Sequence, residues 1–381
     1  MLVQRLGIAL LLSAWLACGG ARAAEPLSGE LVVYSPHGAE LEDAVKQRFV
    51  ALHPGVTLTI LDIPASQIAN RLQAERAQPV CDVWWGGTTA DFQLAEADGL
   101  LTPCEPSWRD ALPRGGRGQT GMWYALYQTP TVIMYNAKKL KREDVPTTWE
   151  GLLDLKWKGR IVVRDVRPSG TMKTIFCGLI WREWKRTGQI DDGFHFLGRL
   201  HWNTGAYAAD PQAMYEMLQG PNDFALAPWN MPDVFLQRDT NGLPFEFVIP
   251  EDAPAPFDPV ALVAGAPHPE LGRAFIEFVG STEELLLQAA EFNRLPARTD
   301  LPPDKLPAWM KDLNLKPLQV DWSALREYQA EWIDRWYREI KSNDLPPGEE
   351  GRPRWALWLG ALAVSIGLAI YLRKKKQDLQ S

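Results

Sequence analysis

Apolar positions along the first hundred residues fall into two spacings that take turns. Leu31–Ser35 and Val56–Leu61 are short runs rich in aliphatic and β-branched side chains, which predict strands. Between them, Gly38 to Leu52 sets Leu41, Ala44, Val45, Phe49 and Leu52 on one face of a helix. Ala65–Arg76 repeats the helical spacing and Cys81–Trp85 returns to a strand. Thr88–Ala97 is a helix that stops at Asp98-Gly99. Strands alternating with helices of this length predict a parallel sheet covered on both faces.

A second block of the same kind follows. Val132–Tyr135, Arg160–Val163 and Phe224–Ala227 predict strands. Thr148–Leu153, Gly170–Lys185, Asp191–Leu200 and Asp210–Leu218 predict helices. Pro244, Pro250, Pro254, Pro256 and Pro259 then force an extended stretch suited to a crossover between lobes. Val260–Ala264 predicts a further strand, and Pro269–Val279, Thr282–Ala290 and Trp322–Ile340 predict helices.

The two ends break the pattern. Arg5 precedes an apolar run from Leu6 to about Cys18, too short to span a bilayer, and Ala21-Arg22-Ala23 has the form of a cleavage site. The expectation is a signal peptide over 1–23, with an uncleaved anchor or a lipoprotein cut at Cys18 as alternatives. Trp355–Leu372 holds no charge, is long enough as a helix to cross a membrane, and runs into Arg373-Lys374-Lys375-Lys376. Basic clusters stay on the cytoplasmic side. This predicts a transmembrane helix over 355–372 after a polar linker over 346–354, with 373–381 as a cytoplasmic tail. The body then lies outside the cytoplasmic membrane, in the periplasm, anchored by a single C-terminal span.

Charge narrows the partners. The chain carries −7 overall, while residues 1–23 carry +2 and 351–381 carry +5, which leaves −14 on residues 24–350. A body that acidic repels phosphate backbones, so no nucleic-acid partner is expected, and any anion must be caught by local donors. An oxidising exterior permits disulfides. Cys81 starts a predicted strand and Cys104 follows the helix returning from it, which predicts a Cys81–Cys104 disulfide against the alternative of two reduced thiols. Cys177, in an apolar helical stretch, reads as a buried free thiol. No cofactor, and no protein-bound metal, is expected. The five histidines form no metal pair at i, i+4 and no Gly-x-Ser-x-Gly elbow is present, so an enzyme is not expected.

Several segments together resemble a known family. They are Val33-Tyr34-Ser35-Pro36-His37, Asp82-Val83-Trp84-Trp85-Gly86-Gly87-Thr88, and Glu96-Ala97-Asp98-Gly99-Leu100-Leu101. Lys156-Trp157-Lys158-Gly159-Arg160 leads into Ser169-Gly170-Thr171, and Phe257–Val263, Phe275–Val279 and Asn293-Arg294-Leu295-Pro296 complete the set. In order and spacing, over about residues 30–300, they are similar to solute-binding proteins of ABC importers in the ferric-, phosphonate- and sugar-phosphate-binding branch. The resemblance implies an α/β, two-lobed type II periplasmic-binding-protein-like fold. Lobe one would comprise 26–128 and 258–345, and lobe two 129–257, with the ligand between them and an ABC permease as partner.

Open α/β sheets bind ligands at the carboxyl ends of their strands, beside helix N-termini. Four such places offer candidates. Ser35 and His37 follow the first strand, though His37 could be a mere turn residue. Gly87 and Thr88 follow the third, where glycine lets backbone amides approach a ligand. Ser169, Gly170 and Thr171 open a long helix whose free amides suit an anion, with Arg167 or Lys173 able to add charge, against ordinary capping by Ser169. Trp229 and Asn230 stand where the resemblance to ferric-binding proteins implies adjacent tyrosines, and neither supplies the hard anionic oxygen that iron(III) prefers. Trp84, Trp85 and Trp202 could line the cleft too. The expected ligand is a small anionic organic solute: a phosphonate, a phosphorylated compound or a carboxylate. A ferric or other metal-binding transport protein, and a ligand sensor acting through a membrane partner, are the alternatives.

Overall fold

A computed structural model describes residues 26–311, 313 and 315–342. The expected signal peptide, the linker over 346–354, the span over 355–372 and the tail lie outside the described residues. Among the described residues no helix is long and apolar enough to cross a membrane.

The opening block folds as β1 (Ser28–Ser35), α1 (Ala39–Leu52), β2 (Gly55–Asp62), α2 (Ala65–Ala74), β3 (Val83–Trp85), α3 (Thr89–Ala97) and β4 (Leu101–Thr102). The chain then makes β5 (Tyr124–Gln128) and crosses at once into β6 (Thr131–Asn136). The second lobe is built from β7 (Ile161–Arg164), α4 (Gly170–Thr187), α5 (Ile190–Asn203), β8 (Thr204–Ala208), α6 (Pro211–Gln219), β9 (Leu226–Asn230), α7 (Met231–Phe235) and β10 (Phe245–Val248). The proline-rich stretch carries the chain back to β11 (Phe257–Val263), α8 (Pro269–Val279), α9 (Thr282–Phe292), β12 (Leu295–Pro296), α10 (Ala308–Lys311) and α11 (Trp322–Trp336).

Two sheets result, one per lobe. The first runs β12-β5-β11-β3-β1-β2, with β4 also paired to β11, and the second runs β10-β6-β9-β7-β8. The sheets are mixed rather than parallel as expected. β1 pairs in parallel with β2 and β3, and β7 with β8 and β9, but β11 runs antiparallel to β3, β4 and β5. The cause is the double crossover, because β5 leaves the first lobe and β11 re-enters it, joining the sheet from the opposite direction. Each lobe has an apolar interior. Val33, Val83, Leu126, Leu262 and Phe275 lie in the first, and Val132, Val162, Ile175, Leu197 and Trp332 in the second.

Two expectations fail here. The predicted Cys81–Cys104 disulfide is absent, and Cys81, Cys104 and Cys177 are all buried free thiols. Strand β11 inserts between β3 and β4, so the two cysteines stand on either side of it. Two strand spacings are about 9.6 Å, beyond the reach of about 7 Å that a disulfide allows between Cα atoms. The side chains also enter different cores, Cys81 beside Trp84 and Phe92, Cys104 beside Trp108 and Tyr124. The final helix, assigned to lobe one through 258–345, instead packs on lobe two. Leu325, Trp332, Ile333 and Trp336 of α11 belong to that core, while Arg326 donates to the Gln93 carbonyl at 2.9 Å on lobe one.

Candidate functional site

The four loops singled out in sequence all leave the carboxyl ends of strands, and those after β3 and β7 meet across the groove between the lobes. A cavity of about 160 Å³ lies there. Thr88 and Asp91 line it from the first lobe, Gly170 and Lys173 from the second, Pro256 from the return crossover, and Trp322 from α11. A Cβ at Gly170 would lie 3.7 Å from the Thr88 methyl, so the starts of α3 and α4 meet across the cleft.

The start of α3 is built on two positive-φ glycines, Gly86 (φ 100°) and Gly87 (φ 130°), where a side chain would be strained. A Cβ on Gly86 would also strike His37 Nε2 at 2.5 Å. The Gly87 amide donates to Asp258 Oδ1 at 3.0 Å. Thr88 caps the helix in a reciprocal box, its amide and hydroxyl both donating to Asp91 Oδ2 at 3.0 and 2.7 Å, and its hydroxyl accepting from the Asp91 amide. Burial raises the Asp91 carboxyl above the usual range, opposed by Thr88 and by the nearby charge of Lys173.

The start of α4 differs. Ser169 does cap it, its buried hydroxyl accepting from the Met172 amide at 3.1 Å. The first turn holds no acid, and the amides of Gly170 and Thr171 find no acceptor among the described residues. The Thr171 hydroxyl accepts from Asn230 Nδ2 at 3.3 Å, and Asn230 in turn caps α7 through the Asp233 amide.

Not every candidate reaches the cleft. Ser35 is fully buried and its hydroxyl accepts from the His37 amide at 3.3 Å, so it shapes the turn. Trp229 points into the lobe-two core, its indole donating to the Tyr215 hydroxyl at 3.1 Å, because alternation along β9 turns it away from the cleft-facing Asn230 end. Trp84 stacks on Phe92 at 4.2 Å and Trp85 is equally buried, both in the lobe-one core. Trp202 lies under the Lys158 ammonium, 3.5 Å from its ring centroid. Arg167 is paired with Asp334 of α11, 2.8 Å distant, and does not line the cavity.

His37 is no exposed turn residue. Its ring packs edge-on against Trp85 and Tyr127, and its Nε2 is 3.7 Å from Asp258 Oδ1. Burial first, then the Arg294 charge, push its pKa well below the ordinary histidine value, which keeps the ring neutral. Asp258 is pushed up to about 7 by burial, against the lowering pull of Arg294 and the Gly87 amide. Asp233, across the groove, is likewise raised by burial and lowered by Asn230 and Arg294. Tyr127 is fixed by a hydrogen bond from its hydroxyl to Gln288.

Asp91, Asp258, Asp233 and Arg294 were not singled out as site residues. Asp91 had a legible signal, since Thr-x-x-Asp at a helix start is a capping box. Asp258 and Arg294 lie in segments quoted for their resemblance, but only the tertiary fold brings them beside His37. Among the described residues no cluster of three or more His, Cys, Asp or Glu side chains could hold a metal.

Comparison with known proteins bears on this geometry. The sequence model of the family described as bacterial extracellular solute-binding protein matches residues 89–324. A probable ABC transporter periplasmic-binding protein, y4fP of Sinorhizobium fredii, is 26% identical over 321 residues, covering 83% of this chain and 87% of the relative. Among solved structures, iron-bound HitA from Pseudomonas aeruginosa superposes with a TM-score of 0.67 at 20% identity, covering 80% of this chain and 98% of that one. The binding protein AfuA from Actinobacillus pleuropneumoniae, with fructose-6-phosphate bound, gives a TM-score of 0.67 at 21% identity over 83% of this chain and 100% of that one. At these identities the structures speak to the fold.

Proposed function

The chain belongs to the bacterial extracellular solute-binding proteins, and on that footing we propose that it captures a small anionic organic solute in the cleft between its lobes. It is a binding protein of ABC transport and not an enzyme. The solute of this reading is a phosphonate, a phosphorylated compound or a carboxylate. One observation carries it: Gly170, at the acid-free start of α4, and Lys173 line the inter-lobe cavity opposite Thr88. Free amides at the positive end of a long helix, with a cation one turn on, form an anion site. Rotation about the two crossovers, at residues 129–130 and 249–256, would close the lobes on the solute and present the closed form to the permease. The fructose-6-phosphate bound to AfuA, a structural neighbour, is a solute of this class.

Iron is bound in another structural neighbour, HitA. Here Trp229 and Asn230 occupy the place where the family resemblance implies paired tyrosines, and both are engaged, with Tyr215 and with Thr171 and Asp233. The apolar stretch 355–372, followed by its basic cluster, supports a tether that keeps the binding protein beside its permease and raises its effective concentration there.

Calorimetric titration of the full chain in detergent tests the reading, with phosphate esters, phosphonates and carboxylates set against a neutral sugar and ferric iron. Binding of at least one anion class is expected. Binding of the sugar or iron alone overturns the ligand class.

A further inference from the structure

Arg294 is a cation that makes no ion pair and leaves its buried Nε unbonded among the described residues. Asn293, in a left-handed conformation at φ 51°, ends α9 and turns the next residue off the helix. Arg294 then immediately precedes β12, which pairs with the end of β5 beside the first crossover. Its charge is felt by Asp258 and His37 of the first lobe and by Asp233 of the second, which puts it at the boundary between them. Yet no carboxylate stands within ion-pair distance of the guanidinium among the described residues, and its buried Nε has no hydrogen-bond partner. Its nearest aromatic face is Tyr127, 5.9 Å from the ring centroid and at the limit of a useful cation–π contact. Lys173, one turn into α4, acts on the single acid Asp91, whereas the charge of Arg294 reaches acids on both lobes.

A half-buried guanidinium with an unmet donor is costly, and a rigid fork of N–H groups is the shape that meets a phosphate or carboxylate with two parallel bonds. We propose that Arg294 grips the anionic group of the solute in a bidentate pair of N–H···O bonds, between Asp258 on one lobe and Asp233 on the other. This rests on the anionic-solute reading above and supplies the side chain that does the gripping. The two buried acids stand beyond ion-pair distance of the fork, so bound anion, and not protein carboxylate, completes it.

The test titrates full-length wild type, R294Q and R294K in detergent with fructose 6-phosphate and with inorganic phosphate, and records thermal unfolding of each. R294Q is expected to bind about 100-fold more weakly. R294K keeps the charge but loses the fork, and is expected to bind about tenfold more weakly, with melting temperatures near wild type. R294Q binding as tightly as wild type overturns Arg294's role and leaves the anionic-solute reading standing. If R294Q does not fold, R294K decides, because unchanged affinity there contradicts a bidentate contact. A wild type that binds neither probe, and no phosphonate or carboxylate in the wider titration above, overturns the underlying reading, and the role of Arg294 with it.

Discussion

The helices α3 and α4 begin face to face across one cavity, yet their first turns are built in opposite ways. At α3 the fold supplies its own anions. Asp91 takes the Thr88 amide and hydroxyl, and Asp258 takes the Gly87 amide. At α4 the single cap is the neutral Ser169 hydroxyl, the first turn has no acid, and Lys173 adds a positive charge. A helix N-terminus attracts negative charge wherever it occurs. The difference teaches that only a start left without its own carboxylate is available to a ligand.

The largest expected effect strikes the self-satisfied side. Asp258 has a folded-state pKa near 7 because it is buried, against an ordinary value of 3.8. Below about pH 4 the carboxyl is protonated in both folded and unfolded chains. Between about 4 and 7 the folded state holds a proton that the unfolded state has released, so this group's contribution to stability falls as pH rises. Asp258→Asn, which can still accept from Gly87, should be more stable than wild type at pH 8 by about 4 kcal/mol, with the gap closing towards pH 4. His37 acts the other way, since its lowered pKa makes the unfolded chain take up protons first below about pH 6.5. Denaturant titrations of the two proteins across pH isolate the Asp258 part, and a gap independent of pH would refute it.

Next, Asp91→Ala removes the capping box and should cost about 1–2 kcal/mol by urea unfolding while changing anion affinity less than any change at α4 does. On the open side, Gly170→Pro deletes one amide donor at a position where proline suits a helix, after a residue already in the extended region. About a tenfold loss of affinity for a phosphate ester is expected with little change in melting temperature. The reverse pattern, stability lost and affinity kept, would make α4 the structural start and α3 the binding one. The smallest effect is a null. With three buried free thiols among the described residues, added reductant should leave the melting temperature unchanged. A drop of several degrees would restore the Cys81–Cys104 bridge.

What could be read in the sequence divides along the same physical line. Helix α8 was legible to the residue, Pro269–Val279, because a proline start and an apolar stripe are local signals. The loops of the site were legible because strand ends and helix starts leave polar and glycine signatures. Strand β5 was missed, since Tyr124–Gln128 is buried on both faces and shows no alternation. The insertion of β11 between β3 and β4, which parts the two cysteines, is a pairing between residues far apart in the chain and leaves no local trace. The same holds for α11 crossing to the second lobe, and for Arg294, which is an ordinary residue after a helix until the fold brings its charge within reach of Asp258 and Asp233.

The central claim is that an anion is held between the two helix starts. Hydrogen exchange of the full chain, with and without a saturating phosphate ester, reads both starts at once. The account predicts slowed exchange over residues 169–174 and a smaller slowing over 86–91 as the lobes close. Calorimetric binding with exchange unchanged at both segments would contradict it.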